Sequence, residues 1–344
     1  MNAPPRTVWV AGAAGFIGSA VARRFAAAGW RVVALAHRRA PAPGALPAGA
    51  PVETVDAADG AALAALAARL GRPEVVVNAA GLASDVGPRA LFRRLNVGIP
   101  LALAAVPARK LVHVSSSDVY GIRDFRGEEE DALPFDDNVG NPYPATKIEA
   151  ERRLAAEVAP ERFVCLRPCA VWGEGDRTLE PRAAAFLRVS PLIVHFGPHR
   201  GRNRWPLCDV RLVAEAALAA ALSPCWDGRG VTVIDHARTS IDGWYRDVAA
   251  RRFPGRRYRT LCLPRAAGFA LGALSSGLSN LLRRTHPVFD PTFYSAHHVA
   301  SDLDFSDARL LAGLAATRAL RNPVRTPLAP RRPDTGIAPP AVLS

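Results

Sequence analysis

Tyr143 and Lys147 stand out for what their types and spacing could do together, in the run Tyr143-Pro144-Ala145-Thr146-Lys147. Four residues along a helix is about 6 Å of rise, so a phenol and an ammonium would leave one face, one above the other. Pro144 suits a first turn, where its missing N–H costs no hydrogen bond. An unassisted phenol titrates at about pH 10, and an adjacent cation is expected to lower that by favouring the phenolate. The pair therefore predicts a proton donor and acceptor that works near neutrality. The cation census sharpens this. Of 44 basic residues only Lys110 and Lys147 are lysines. A chain that otherwise uses arginine is expected to need a compact ammonium here rather than a planar fork.

Two further groups belong with the pair. Ser115-Ser116-Ser117-Asp118-Val119-Tyr120-Gly121 closes an apolar run at 110–115. Hydroxyls at the carboxyl end of a strand fall where α/β folds bind ligands, and a serine there can polarise a carbonyl oxygen. Gly12-Ala13-Ala14-Gly15-Phe16-Ile17-Gly18 follows the short run Val8-Trp9-Val10 and opens a helical pattern of Ile17, Val21 and Phe25. Glycines between a strand and a helix allow a tight turn and let backbone N–H groups approach a pyrophosphate at the positive helix end. This predicts a bound dinucleotide. The second strand ends in Ala36-His37-Arg38-Arg39, without the carboxylate that would hold a ribose 2′-hydroxyl. Guanidinium groups there favour a 2′-phosphate, so NADP is preferred over NAD. The competing explanation is that Arg38 and Arg39 merely share the chain-wide arginine excess.

Positioning these groups takes alternating strands and helices. Apolar runs at 31–36, 52–55, 74–78 and 110–115 read as strands; 61–70 and about 100–106 read as helices. The β-α-β rhythm predicts a Rossmann-type, doubly wound parallel sheet with helices on both faces. It fills residues 1–172, and a later segment at about 205–236 is expected to return to it. From 173 to 322 the pattern is irregular, as a smaller substrate-binding lobe would be. Residues 323–344 hold six prolines and little apolar pattern, and read as a loosely ordered tail.

Composition narrows the classes. Apolar residues are 49% and charged residues 22%, ordinary for a globular protein. No run reaches the length of about 20 apolar residues that a spanning helix needs. The nearest, 266–282, carries Ser275, Ser276, Ser279 and Asn280 and reads as a packed helix. Arg265, Arg283 and Arg284 flank it and leave room for a peripheral membrane contact. Residues 1–6 show no apolar signal region, and five cysteines without a paired motif fit reduced thiols; a cytoplasmic setting and no metal site are expected. The adjacent His297 and His298 are likewise not expected to bind metal. The net charge of +13 comes from arginine bias along the whole chain. The densest cluster, Arg251, Arg252, Arg256, Arg257 and Arg259 with Phe253 and Tyr258, is expected to be a solvated face rather than a nucleic-acid site.

With these motifs assembled, residues 7–310 resemble the extended short-chain dehydrogenase/reductase family, also called the NAD-dependent epimerase/dehydratase family. The resemblance rests on the glycine turn, Asp56, Asn78-Ala79-Ala80-Gly81, Asn96-Val97, the Ser115–Gly121 segment, Tyr143/Lys147, Leu166-Arg167-Pro168 and Val171-Trp172-Gly173. It implies that Tyr143 is the acid/base, that Lys147 holds the nicotinamide ribose, and that Ser116 (less so Ser117) polarises the substrate oxygen. It places Asp56 near the adenine and implies a homodimer built through two helices near 92–106 and 144–158. Departures from the nucleotide-sugar pattern are Ala11, Ala170 and Arg211-Leu212. Leu263-Pro264 and the 266–282 helix are similar to 3β-hydroxysteroid dehydrogenase-like members. The expectation is therefore hydride transfer at a ketone or secondary alcohol of a small or apolar substrate. A nucleotide-sugar epimerase or dehydratase with tightly held NAD is the alternative, with Arg204 clamping a diphosphate. A dinucleotide-binding protein without chemistry is a lesser one.

Overall fold

The computed structural model describes residues 5–319. The proline-rich segment 323–344 lies outside the described residues, as do the first four. Seven parallel strands form the main sheet: β1 (Thr7–Ala11), β2 (Arg31–Ala36), β3 (Val52–Thr54), β4 (Val75–Asn78), β5 (Lys110–Val114), β6 (Phe163–Pro168) and β7 (Gly230–Val233). Their spatial order is β7-β6-β5-β4-β1-β2-β3, every pair parallel. The chain starts in the middle, winds outward to β3, then crosses back through β4. A crevice therefore opens between the carboxyl ends of β1 and β4, where such sheets bind ligands.

Side-chain alternation explains why the sheet is buried on both sides. Val8 and Val10 face a core shared with Val21 and Phe25 of the helix Phe16–Ala27 and with the alanine-rich helix Val210–Leu222. Trp9 and Ala11 face the opposite core, made with Leu63 and Leu66 of the helix Gly60–Leu70 and Leu103 of the helix Ile99–Ala104. Parallel strands covered on both faces read as continuous apolar runs, which is how β2 and β4 appear. Just before Ile99 the chain makes a wider turn of π-helix, Arg94–Gly98. Pro100 has no N–H to donate back to Asn96, so the ordinary ladder breaks there.

A third core gathers Leu187, Ile193, Trp205, Trp244 and Val248 from the second half. Small ladders such as Leu192–Phe196 with Arg259–Leu263 hold this part together. In the arginine cluster here Arg252, Arg256, Arg257 and Arg259 are exposed, as expected of a solvated face, and several are tied back to the protein. Arg251 and Arg252 pair with Glu180, and Arg256 reaches the Arg188 carbonyl while lying over the Phe253 and Tyr258 rings. The helix expected at 266–282 spans Arg265–Leu281. Among the described residues no helix is long and apolar enough to cross a membrane.

Candidate active site

The glycine turn sits at the crevice. Gly12 has φ +77, a conformation that side chains with a Cβ rarely adopt, and an added Cβ would lie 2.7 Å from the Ala79 carbonyl oxygen and the Ala80 nitrogen. The ends of β1 and β4 thus touch through a glycine. At Gly18 a Cβ would fall 2.1 Å from the Gly12 oxygen, so the helix can start against the turn only without a side chain. Gly15 is exposed and is the N-cap residue of Phe16–Ala27; no side chain caps that helix and its first turn holds no acid. Its first N–H groups and positive dipole end are left for an anion. Gly12, Ala14, Gly15, Ala79, Ala80 and Gly81 all retain some solvent access, while Phe16 and Ile17 turn partly into the core. A pyrophosphate fits this cradle, and these residues would hold it.

The tyrosine helix, Pro142–Glu157, begins at an Asn141 cap whose side chain accepts from the Tyr143 N–H at 2.8 Å. Thr146 Oγ1 donates to the Pro142 carbonyl and accepts from Asn96 Nδ2 at 3.1 Å. Asn96 Oδ1 in turn accepts from the Leu82 N–H at 2.7 Å. Asn96, wholly buried in the π turn, therefore locks the tyrosine helix to the segment after β4 that carries Gly81. A Cβ on Gly81 would come within 2.9 Å of Asn96 Oδ1 and 3.7 Å of Lys147 Nζ. Lys147 donates to the Val114 carbonyl at 2.8 Å, at the end of β5, where Ser115, Ser116 and Ser117 follow. Ser116, Tyr143 and Lys147 thus come together at the carboxyl edge of β5, with Gly81 alongside.

The electrostatics correct one expectation. Burial pushes the Tyr143 hydroxyl well above the ordinary phenol value, the Asp118 carboxylate pushes the same way, and a hydrogen bond with Ser116 pulls it down. The ammonium does not lower the phenol here. It points to the Val114 carbonyl, 6.0 Å from the ring centroid, and desolvation brings Lys147 itself down to about 8.

Sequence reasoning missed three groups beside the phenol. Asp118 lies in the 3-10 turn Ser117–Tyr120, and its N–H donates to Ser116 Oγ at 3.3 Å. His298 Nε2 is 3.4 Å from the Asp118 carboxylate, and the rings of Tyr294 and His298 meet edge to face at 4.8 Å. Both belong to the helix Phe293–Ala300, far along the chain. The Tyr294 hydroxyl is buried, and the Asp118 charge pushes it further up. A cavity of about 600 Å³ reaches this corner, lined among others by Asn141, Pro142, Arg89, Arg284, Phe293 and Tyr294.

Other predicted residues fall as follows. His37, Arg38 and Arg39 are exposed just past β2, and the two arginines have no ion pair among the described residues. Asp56 follows β3, accepts from the Ala58 N–H and pairs with Arg94. Ser117 is buried in the 3-10 turn Ser117–Tyr120. Arg204, expected to clamp an anion, is already held by Asp302 and Asp304, and fastens its own segment to the one around residue 303.

A Rossmann sheet with a glycine cradle at its switch point and a serine–tyrosine–lysine set across the crevice defines a dinucleotide-dependent enzyme. The chain belongs to the NAD dependent epimerase/dehydratase family, whose model matches residues 8–230, and is an enzyme of the extended short-chain dehydrogenase/reductase type. It is 33% identical over 224 residues to a 2-alkyl-3-oxoalkanoate reductase of Stenotrophomonas maltophilia (strain K279a). That match covers 63% of this chain and 64% of the relative, so it spans under two thirds of either. The fold is similar to UDP-glucose 4-epimerase of Thermotoga maritima, at TM-score 0.63 and 19% identity over 92% of this chain and 100% of that one. It is also similar to UDP-glucose 4-epimerase of Thermus thermophilus in complex with NAD, at TM-score 0.61 and 22% identity over 89% and 97%.

Proposed function

We propose that this enzyme is an NADP-linked reductase of an apolar ketone, a 3-oxoalkanoate or a close analogue, with Tyr143 as the acid. The observation that carries this is the convergence of Ser116, Tyr143 and Lys147 at the carboxyl end of β5, across from the glycine turn. The dinucleotide, when bound, supplies the hydride. Ser116 donates a hydrogen bond to the ketone oxygen, and Tyr143 gives that oxygen its proton as negative charge builds on it. Burial keeps the phenol protonated, which is the form a reduction needs. Lys147, held by the Val114 carbonyl, places its charge one turn along the same helix.

The cavity supports the substrate class. Val86, Pro88, Pro142 and Phe293 give apolar walls, while Arg89, Arg283 and Arg284 offer guanidinium groups to a carboxylate. Its size suits a small organic molecule. The relative's activity on 2-alkyl-3-oxoalkanoates points the same way, and no feature of the cavity singles out a steroid. The exposed Arg38 and Arg39 support the 2′-phosphate. Five free cysteines, three of them buried, support a cytoplasmic setting. The helices Ile99–Ala104 and Pro142–Glu157 pack side by side, which supports a homodimer through that pair.

The test is NADPH absorbance with a 2-alkyl-3-oxoalkanoate as substrate. Oxidation in step with ketone loss is expected, faster than with NADH. Tyr143→Phe should slow turnover by about 10²-fold or more while cofactor affinity stays nearly unchanged. Interconversion of a nucleotide sugar with no net cofactor use would replace this reading with an epimerase.

A further inference from the structure

The helix Arg265–Leu281 is packed by the face that carries no bulk. Gly268, Gly272, Ser275 and Ser279 are its buried positions. A Cβ at Gly272 would lie 2.6 Å from the Thr292 carbonyl oxygen, and one at Gly268 2.6 Å from Phe196 Cγ. Ser275 donates to the Phe289 carbonyl, and Ser279 accepts from the Val288 N–H at 3.0 Å. Rotation of the helix to bury larger residues is therefore blocked. The bulky side chains are turned out: Leu271, Leu274, Leu278 and Leu281 form one stripe at helical spacing, and Leu274 and Leu281 are 63% and 79% exposed. Leu282, Val288 and Phe289 extend the patch past the helix end. Soluble proteins rarely leave so continuous an apolar surface without a partner.

Charge selects the partner. No Asp or Glu occurs from 264 to 289, while Arg265 stands at one end of the stripe and Arg283 and Arg284, both exposed, at the other. Two copies set face to face would bring Arg283 and Arg284 against the same pair, or against Arg265 if reversed. Like charges oppose both arrangements. An apolar stripe bordered by arginines instead matches a bilayer surface with anionic headgroups, where leucines enter the acyl boundary and guanidinium groups meet phosphates. We propose that this leucine face docks the enzyme peripherally on an anionic lipid surface. Ser276 and Asn280 of this helix, with Arg283 and Arg284 just past its end, line the cavity beside Tyr294. On the function proposed above, docking would set the cavity mouth at the lipid, where an alkyl-chain substrate partitions. The docking itself does not depend on that function.

Flotation of the purified full chain with vesicles tests this. Binding is expected to phosphatidylcholine vesicles containing about a third phosphatidylserine, with little to phosphatidylcholine alone. Leu274→Gln with Leu281→Gln should weaken that binding by about tenfold or more, because two exposed leucines no longer enter the bilayer. The melting temperature should not change, since neither side chain supports the core; Leu281→Gln alone serves if the pair melts early. Binding that survives these changes would mean only the general arginine charge is at work, and would overturn the proposal. So would absence of binding to either vesicle, or a dimer by light scattering that the leucine changes dissociate.

Discussion

With its phenol crowded by protein and the Asp118 carboxylate nearby, Tyr143 holds its proton more firmly than a free tyrosine, although Lys147 stands one turn along. Desolvation of a neutral acid opposes ionisation more strongly than an ammonium already bonded to a carbonyl can assist it. Asp118→Asn removes a charge that opposes the phenolate and keeps the shape. The Tyr143 limb in the pH profile of kcat/KM should therefore move to lower pH; a limb that stays, or moves up, would remove Asp118 as a cause. The placing of Tyr143 and Lys147 one turn apart on a single helix was legible because it lies in a short spacing. The approach of His298 to Asp118 was not, because a contact across 180 residues leaves no local signature. The lysine census picked out burial. Lys110 and Lys147 are both buried, at 1% and 5% exposure, and Lys110 only ties the sheet to Asp227 and the Ala220 and Ser223 carbonyls. A lysine in this chain marks a buried ammonium, which is a wider category than a catalytic one.

At the scale of elements, the tyrosine helix is fixed from behind as well as from its cap. Glu151, two turns into it, takes three hydrogen bonds from Arg167 of β6 at 2.6–3.1 Å. Arg167 also donates to the Tyr120 hydroxyl at 2.9 Å, which bonds Thr232 on β7. Helix, serine turn and two strands therefore share one buried polar network. Glu151→Gln would leave Arg167 charged without its counter-ion, and breaking such a pair costs about 3–5 kcal/mol. Denaturant unfolding should show a clearly lower midpoint with an unchanged slope. An unchanged midpoint would show that the network contributes little. Strand rhythm and glycine turn were readable from periodicity and residue type. The π turn at Arg94–Gly98 was not, since Pro100 announces a broken ladder but not how the chain absorbs it. The leucine helix was read one residue late at each end, as a packed helix with room for a peripheral membrane contact; its apolar face points outward because the glycines and serines opposite are what fit the core.

Across the whole molecule, several arginines form ion pairs that knit distant segments, as Arg204 does with Asp302 and Asp304 and Arg24 with Glu215. Sequence could report the surplus of charge but not these partners, and so overvalued Arg204 as an anion clamp. The same logic applied to Lys147 gives a global consequence. Unfolded, this ammonium keeps its proton to about its ordinary value of 10.5, while the folded protein releases it at about 8. Between those values the unfolded chain binds more protons, so this site's contribution to stability rises with pH across the window and is least favourable below it. The buried ammonium is thus a burden on the uncomplexed fold. Lys147→Met keeps the length and removes the charge. At pH 7 without cofactor the variant should melt above the wild type while losing turnover. That advantage should shrink as pH climbs from about 8 to 10.5. Melting curves of both proteins over this range decide it: a variant that melts below wild type at pH 7, or a gap that widens with pH, would show that the buried ammonium is favoured by its surroundings.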